Sequence, residues 1–236
     1  MNTVPTAASC ATTLRMLALL LSYPDASLRA HLTELRTALR DDGALDAARL
    51  ASIDVLIDRL ADSEGLDAEA AYVDLFDRGR RTALHLFEHV HGDSRDRGPA
   101  MIDLIKTYEE AGLTLSSHEL PDHLCVVLEF ASTQPPEQAE SFLREIAHLL
   151  RTIHSALVER DSAYASVLAA LIELAGESTE PVALTRDAPL DETWNEPVAF
   201  GGCSTEGQSN NTNRSQPIRM VKMPHAVNRA QRGQGA

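Results

Sequence analysis

The apolar positions of this chain recur at intervals of three and four residues almost from its start. Leu14, Leu17, Ala18 and Leu21 make one stripe, closed by Tyr23-Pro24. Leu28, Leu32, Leu35 and Leu39 make a second, closed by Asp41-Asp42-Gly43, and Leu50, Ile53, Ile57 and Leu60 make a third. Such spacing lines up side chains on one face of an α-helix, whose turn is about 3.6 residues. Asp67 is placed to cap a helix carrying Ala68, Tyr72, Leu75 and Phe76. Gly79 interrupts the pattern, and residues 84–90 predict a short helix ended by Gly92. Proline then marks three further starts. Pro99 precedes the stripe Met101, Ile105, Tyr108 and Gly112. Pro121 precedes Leu124, Val127, Leu128 and Ala131. Pro135-Pro136 opens the longest helix, with Phe142, Ile146, Leu149, Ile153 and Leu157. A last stripe, Tyr164, Val167, Leu168 and Leu171, stops near Gly176. No segment alternates with period two over the length of a strand, and no internal repeat is found. The prediction is an all-α fold, one multi-helix domain over residues 10–176 with apolar positions enough for a sound core.

After Gly176 the periodicity fades. Residues 177–202 are acidic and proline-rich and hold the only tryptophan, Trp194; residues 204–236 contain no Leu, Phe, Tyr or Trp. Too little apolar surface is present there to offset the entropy of ordering, so 177–236 is read as an extended acidic segment followed by a disordered polar tail. Trp194 and Phe200, isolated in that polar context, are candidates for an internal plug. The formal net charge of −14 is unevenly placed, since the tail 204–236 carries five basic residues and one acid. An acidic body argues against nucleic acid as the partner. It suits a basic partner such as a positively charged peptide, and equally a solvated surface that keeps the protein soluble. Three widely separated cysteines, Cys10, Cys125 and Cys203, give neither a disulfide framework nor a zinc knuckle, which fits a reducing cytosol. The apolar run Met16–Leu21 is too short to span a membrane, and no small-residue cleavage site follows it, so a cytoplasmic protein is expected.

Three polar constellations carry candidate chemistry. The run His85-Leu-Phe-Glu-His89 reads as H-x-x-E-H. On a helix it would turn His85 and His89 to one face and hold Glu88 near a zinc-bound water, with Glu159 or Glu173 as a third ligand. The same letters also suit an ordinary amphipathic helix. Ser94-Arg-Asp-Arg-Gly98 is a charged loop whose arginines would bind an anion or pin the loop by an ion pair. In Leu120-Pro-Asp-His-Leu124, Pro121 near N1 and Asp122 in the first turn are what a helix start requires. Asp122 and His123 would project from that helix end beside a groove, Asp122 accepting from a cationic or amide-rich ligand and His123 tuning it with pH. No nucleophile motif, phosphate loop or dinucleotide fingerprint is present. A binding module is favoured over an enzyme, with a zinc-dependent hydrolase built on His85, Glu88 and His89 as the alternative.

The run Tyr72-Val-Asp-Leu-Phe-Asp-Arg-Gly-Arg80, followed by Leu84 to Gly92 and Ser94 to Gly98, resembles the nitrate reductase molybdenum-cofactor assembly chaperones. This is the delta-subunit family within the redox-enzyme maturation chaperones. Glu119-Leu-Pro-Asp-His-Leu124, Leu128-Glu-Phe130 and Asp191 to Phe200 continue the likeness, which covers about residues 14–202. It implies an all-α, non-catalytic, cytoplasmic chaperone that keeps no cofactor of its own and binds the apo catalytic (alpha) subunit of a respiratory nitrate reductase through that subunit's N-terminal leader-like segment. It would support molybdenum cofactor insertion, delay membrane docking without inserting into the membrane, and be absent from the finished complex. Pro121-Asp122-His123 matches the family's leader-binding element, which makes Asp122 and His123 the first candidates for peptide binding. Tyr72, Phe76, His85, His89 and Tyr108 match family positions and complete the candidate set. Cys125 departs from the family's pattern without disturbing Asp122 or His123.

Overall fold

The computed structural model describes residues 10–184, apart from 93, 117 and 118. Ten α-helices make up this region: α1 (Cys10–Leu20), α2 (Ala26–Ala30), α3 (Leu32–Asp42), α4 (Ala47–Asp62), α5 (Gly65–Tyr72), α6 (Leu86–His91), α7 (Arg97–Glu110), α8 (Leu124–Thr133), α9 (Pro136–Glu159) and α10 (Ala165–Leu174). The expected all-α class is what the chain adopts, with no named strand among the described residues. The expected tail, including Trp194 and Phe200, lies outside them, as does everything from 185 onward.

Most stripes become helices where the pattern places them, and the departures have local causes. The second stripe breaks in two at His31, whose φ of −107° and ψ of 10° leave the helix. Its imidazole Nδ1 bonds back to the Ser27 carbonyl at 2.8 Å, and Asp25 caps the short helix before it. Asp67 is not a cap. It lies in the first turn of α5, where a carboxylate still favours the positive end of the helix dipole. After Tyr72 the helix widens into a π-helical turn, Val73–Asp77, in which the Arg78 N–H reaches the Val73 carbonyl at 3.1 Å. Such turns insert a residue and re-aim the side chains around it. Here Tyr72 and Phe76 stack at 4.7 Å between centroids, and both rings meet Tyr164 at the start of α10. Pro136 opens α9, the 24-residue helix that runs through the body.

The core forms where α1 lies against α8 and α3, and α10 against α9 and α4. Leu14, Leu17, Leu124, Leu128, Leu143, Leu150, Leu168 and Leu171 are fully buried there. The pair α6–α7 is different. Leu86 is the only buried residue of α6 and Tyr108 the only one of α7. Apolar burial therefore anchors this pair weakly, and polar contacts must hold it.

Candidate functional site

Those contacts converge on one place. Residues around His85 and His123 run antiparallel for a single bridge. The Leu86 N–H donates to the Asp122 carbonyl at 3.0 Å, and the Leu124 N–H donates to the Leu84 carbonyl at 2.8 Å. This short pairing takes backbone that the sequence pattern assigned to helix starts. As a result α8 begins at Leu124 with His123 as its N-cap, and Pro121 and Asp122 precede the helix rather than opening it. Likewise α6 begins at Leu86, and His85 is extended, with φ −85° and ψ 103°. His85 and His89 thus do not share a helical face, which removes the geometry that an H-x-x-E-H zinc site requires. His89 instead donates from Nε2 to the Ala83 carbonyl at 2.8 Å. Among the described residues no group of three or more His, Cys, Asp or Glu side chains could hold a metal ion.

Asp122 is 0% exposed, where an outward projection was expected. One carboxylate oxygen accepts from the Phe87 N–H at 3.2 Å and faces an Arg97 guanidinium nitrogen at 3.5 Å; the other lies 3.4 Å from His85 Nδ1. Phe87 is in the first turn of α6, and His85, the N-cap residue of that helix, makes no side-chain cap bond. Asp122 supplies the missing cap from across the chain. Arg97 opens α7 and also faces Glu88 at 3.5 Å. The loop arginine is therefore a pin, as one reading of Ser94–Gly98 proposed, but its partners are distant in sequence. Burial alone pushes the Asp122 carboxyl up. The His85 hydrogen bond and charge, the Phe87 N–H and Arg97 outweigh it and hold the group below the ordinary carboxylate range.

The His123 ring stands edge-on to the His85 ring, 5.0 Å between centroids. Its Nδ1 accepts from the Cys125 N–H at 3.3 Å, so the capping imidazole is the neutral tautomer with its proton on Nε2. Burial, then the neighbouring His85, lowers its pKa to about 4, which agrees with that role. Cys125 beside it is buried, and burial pushes its thiol up to about 12, far from a reactive thiolate.

Three clefts meet in front of this node. The first, of ≈ 500 Å³, is walled by Tyr23, Tyr72, His85, His123 and Cys125. The second, of ≈ 400 Å³, is lined by Leu19, Tyr108, Leu113, Leu115 and Phe130, and the third, of ≈ 390 Å³, by Met101, Ile105, Leu115 and Pro121. Glu119 borders all three, and Val126 and Glu129 border the first two. Together they form a branched groove with an apolar floor and acidic edges.

Of the candidates from the sequence, Tyr72, His85 and His123 line the first cleft and Tyr108 the second. Asp122 lies behind the wall. Phe76 packs on Tyr72 and Tyr164 and lines none of the three, and neither does His89. Tyr108 and Tyr72 also hold the frame, donating to the Pro121 carbonyl at 2.8 Å and the Leu21 carbonyl at 2.7 Å. Groove residues that were not among the sequence candidates are Leu19, Tyr23, Leu120, Val126 and the two glutamates. The available signal was apolar residues outside the core stripes: Leu19 on α1 is 39% exposed, and Leu120 in the loop before α8 is 49% exposed.

An all-helical body with a groove beside its polar focus is the architecture of a protein that binds an extended or helical segment. The chain belongs to the nitrate reductase delta subunit family, whose model matches residues 23–170. It is 40% identical over 187 residues to the nitrate reductase molybdenum cofactor assembly chaperone NarJ of Escherichia coli (strain K12), covering 75% of this chain and 79% of that one. It is 32% identical over 163 residues to a Bacillus subtilis (strain 168) protein named "Probable nitrate reductase molybdenum cofactor assembly chaperone NarJ", covering 68% and 86%. A solved Archaeoglobus fulgidus structure, assigned to redox enzyme maturation, aligns with a TM-score of 0.49 at 20% identity over 71% of this chain and 94% of that one. The Escherichia coli and Bacillus subtilis relatives carry the name of the family that the sequence motifs resemble.

Proposed function

We propose that this chain is an assembly chaperone for a respiratory nitrate reductase. It binds the apo catalytic subunit through that subunit's N-terminal leader-like segment and keeps it open to molybdenum cofactor insertion. While bound it withholds the subunit from membrane docking, and it leaves before the complex is complete. The work takes place in the cytoplasm; no helix among the described residues is long and apolar enough to cross a membrane. The observation that carries this reading is the branched groove, where an apolar floor is edged by Glu119 and Glu129. An amphipathic helix presents anchors at i, i+3/i+4 and i+7, which suits such a floor, and acidic edges speed capture of a segment with basic residues. The relatives' names support the enzyme system. Calorimetric titration of the full chain with a synthetic peptide of the cognate catalytic subunit's N-terminal segment tests it. Saturable binding at one peptide per chain is expected, and absence of heat and of competition at millimolar peptide overturns the reading.

A further inference from the structure

Glu119 and Asp122 stand three residues apart in one short run, and the fold treats them oppositely. Asp122 is fully buried and occupied by the Phe87 N–H, His85 and Arg97. Glu119 is exposed and borders all three clefts, and its carboxylate has no hydrogen-bond or ion-pair partner among the described residues. Glu129 stands beside it on α8. Burial, and then the charge of Glu119, raise its pKa against a smaller opposing pull from Arg15. Arg15 lies nearby, its Nε donating to the Ser132 hydroxyl at 3.0 Å. Leu120 and Val126 make the nearby surface apolar. Two like charges at the edge of an apolar groove raise the free energy of the empty protein, and a cation from a partner relieves both the repulsion and the missing pairing.

We propose that recognition is divided between these carboxylates: Glu119, with Glu129, receives a lysine or arginine side chain of the bound segment, whereas Asp122 never touches it and acts as a positioning residue for the groove wall. This rests on the groove being the peptide site. Asp122 caps α6 and fixes Arg97 at the head of α7, which sets where His85 and His123 stand at the first cleft and where Met101, Ile105 and Tyr108 stand at the others. A peptide cation reaching Asp122 would have to displace Arg97 and open the His85–His123 bridge.

The two roles separate by salt. A direct charge contact at an exposed edge is screened by added salt, and an effect of shape is not. Affinity of the full-length chain for the cognate N-terminal peptide is measured by calorimetry across a series of NaCl concentrations, for wild type, Glu119→Gln, Glu129→Gln, Asp122→Asn and Arg97→Gln. The two glutamine variants at 119 and 129 each weaken binding about two- to fivefold at low salt and flatten its salt dependence. Asp122→Asn weakens binding by about tenfold with the wild-type salt dependence retained, and Arg97→Gln does the same. Glu119→Lys recovers affinity for a peptide whose basic residue is changed to glutamate. The division is overturned by a flattened salt dependence in Asp122→Asn, by a wild-type one in both glutamine variants, or by wild-type affinity in Asp122→Asn. The exposed glutamates decide the outcome even where Asp122→Asn fails to fold. A wild-type chain that binds no peptide refutes the groove itself; one that binds with no salt dependence refutes only the division.

Discussion

Replacing Asp122 by alanine removes three things at once, and their sizes can be set out separately. The first is the cap on the Phe87 N–H at 3.2 Å, and loss of a helix cap costs about 1 kcal/mol. The second is the counter-charge for Arg97 and His85. Breaking a fully buried ion pair costs about 3–5 kcal/mol. Here, though, the partners stand at 3.4–3.5 Å and their side chains are 27% and 30% exposed, so solvent takes up much of the loss and about 1 kcal/mol remains. The third is the volume of a carboxylate with no solvent access, which leaves a small polar hole worth about another 1 kcal/mol. The sum, about 3 kcal/mol, is a sizeable share of the ~5–15 kcal/mol that holds a domain folded. It should lower Tm by roughly 6–12 °C for a domain of this length. Asp122→Asn keeps the shape and an acceptor oxygen for Phe87, and should lose about half as much. Urea unfolding followed by far-ultraviolet circular dichroism measures both, with Glu119→Ala as the exposed-carboxylate control, expected within about 0.5 kcal/mol of wild type. If Asp122→Ala also unfolds within that margin, water satisfies the orphaned groups and the carboxylate does not hold α6 and α7.

Three other outcomes follow from the geometry. His123 is neutral in the fold with a pKa lowered to about 4, while in the unfolded chain it protonates near its ordinary value of about 6.5. The unfolded state therefore binds the extra proton, so stability falls as pH drops from about 6.5 to about 4, by up to about 3 kcal/mol. His123→Asn, which keeps an N-cap but does not titrate, should flatten that window in pH-dependent denaturation; an unchanged slope refutes the assignment. Asp122, whose pKa is lowered, loses its contribution as pH falls from the ordinary carboxylate value downward, so its window begins about where that of His123 ends. At Gly79 an added Cβ would be driven into the Thr82 hydroxyl and the Leu75 carbonyl, so Gly79→Ala should destabilise by about 1–3 kcal/mol in the same urea assay. Finally, because His89 Nε2 is committed to the Ala83 carbonyl and His85 Nδ1 to Asp122, protein purified without chelators should carry no stoichiometric zinc by elemental analysis. One equivalent of zinc, lost in His85→Ala, would refute the hydrogen-bonding roles given to both histidines.

The helices were legible because helical burial is periodic, and each long stripe reports its own face. Along α9, Leu143, Leu150 and Leu157 lie two turns apart and fully buried, and the stripe Phe142, Ile146, Leu149, Ile153 and Leu157 found that face slightly off its centre, since Phe142 and Ile146 are only partly buried. Contacts made between stripes leave no such trace. The break at His31 depends on a side chain folding back to Ser27, and the late start of α8 on a backbone bridge to Leu84 and Leu86. The groove was hidden for a related reason. Leu19 and Val126 belong to no motif and Leu120 only leads into Pro121-Asp122-His123, and their place in a groove emerges only when α1, residues 119–121 and α8 are brought side by side.

Motif reading and groove reading therefore select different residues, and the physical reason is general. A run dense in His, Asp, Glu and Arg attracts a chemical interpretation, yet such groups are costly to bury unless each finds a partner. In this chain His85, His89, Arg97 and Asp122 have found one another or a backbone group, and that mutual satisfaction holds two helices which apolar burial holds only weakly. A side chain so engaged has little left to offer a ligand. At the groove, the carboxylates of Glu119 and its neighbour Glu129 have no hydrogen-bond or ion-pair partner among the described residues, and they stand beside the exposed Leu19 and Leu120. A polypeptide partner gains most where the free protein is least satisfied, which shifts the expected contact from the histidine-rich helix to the acidic edge of the groove.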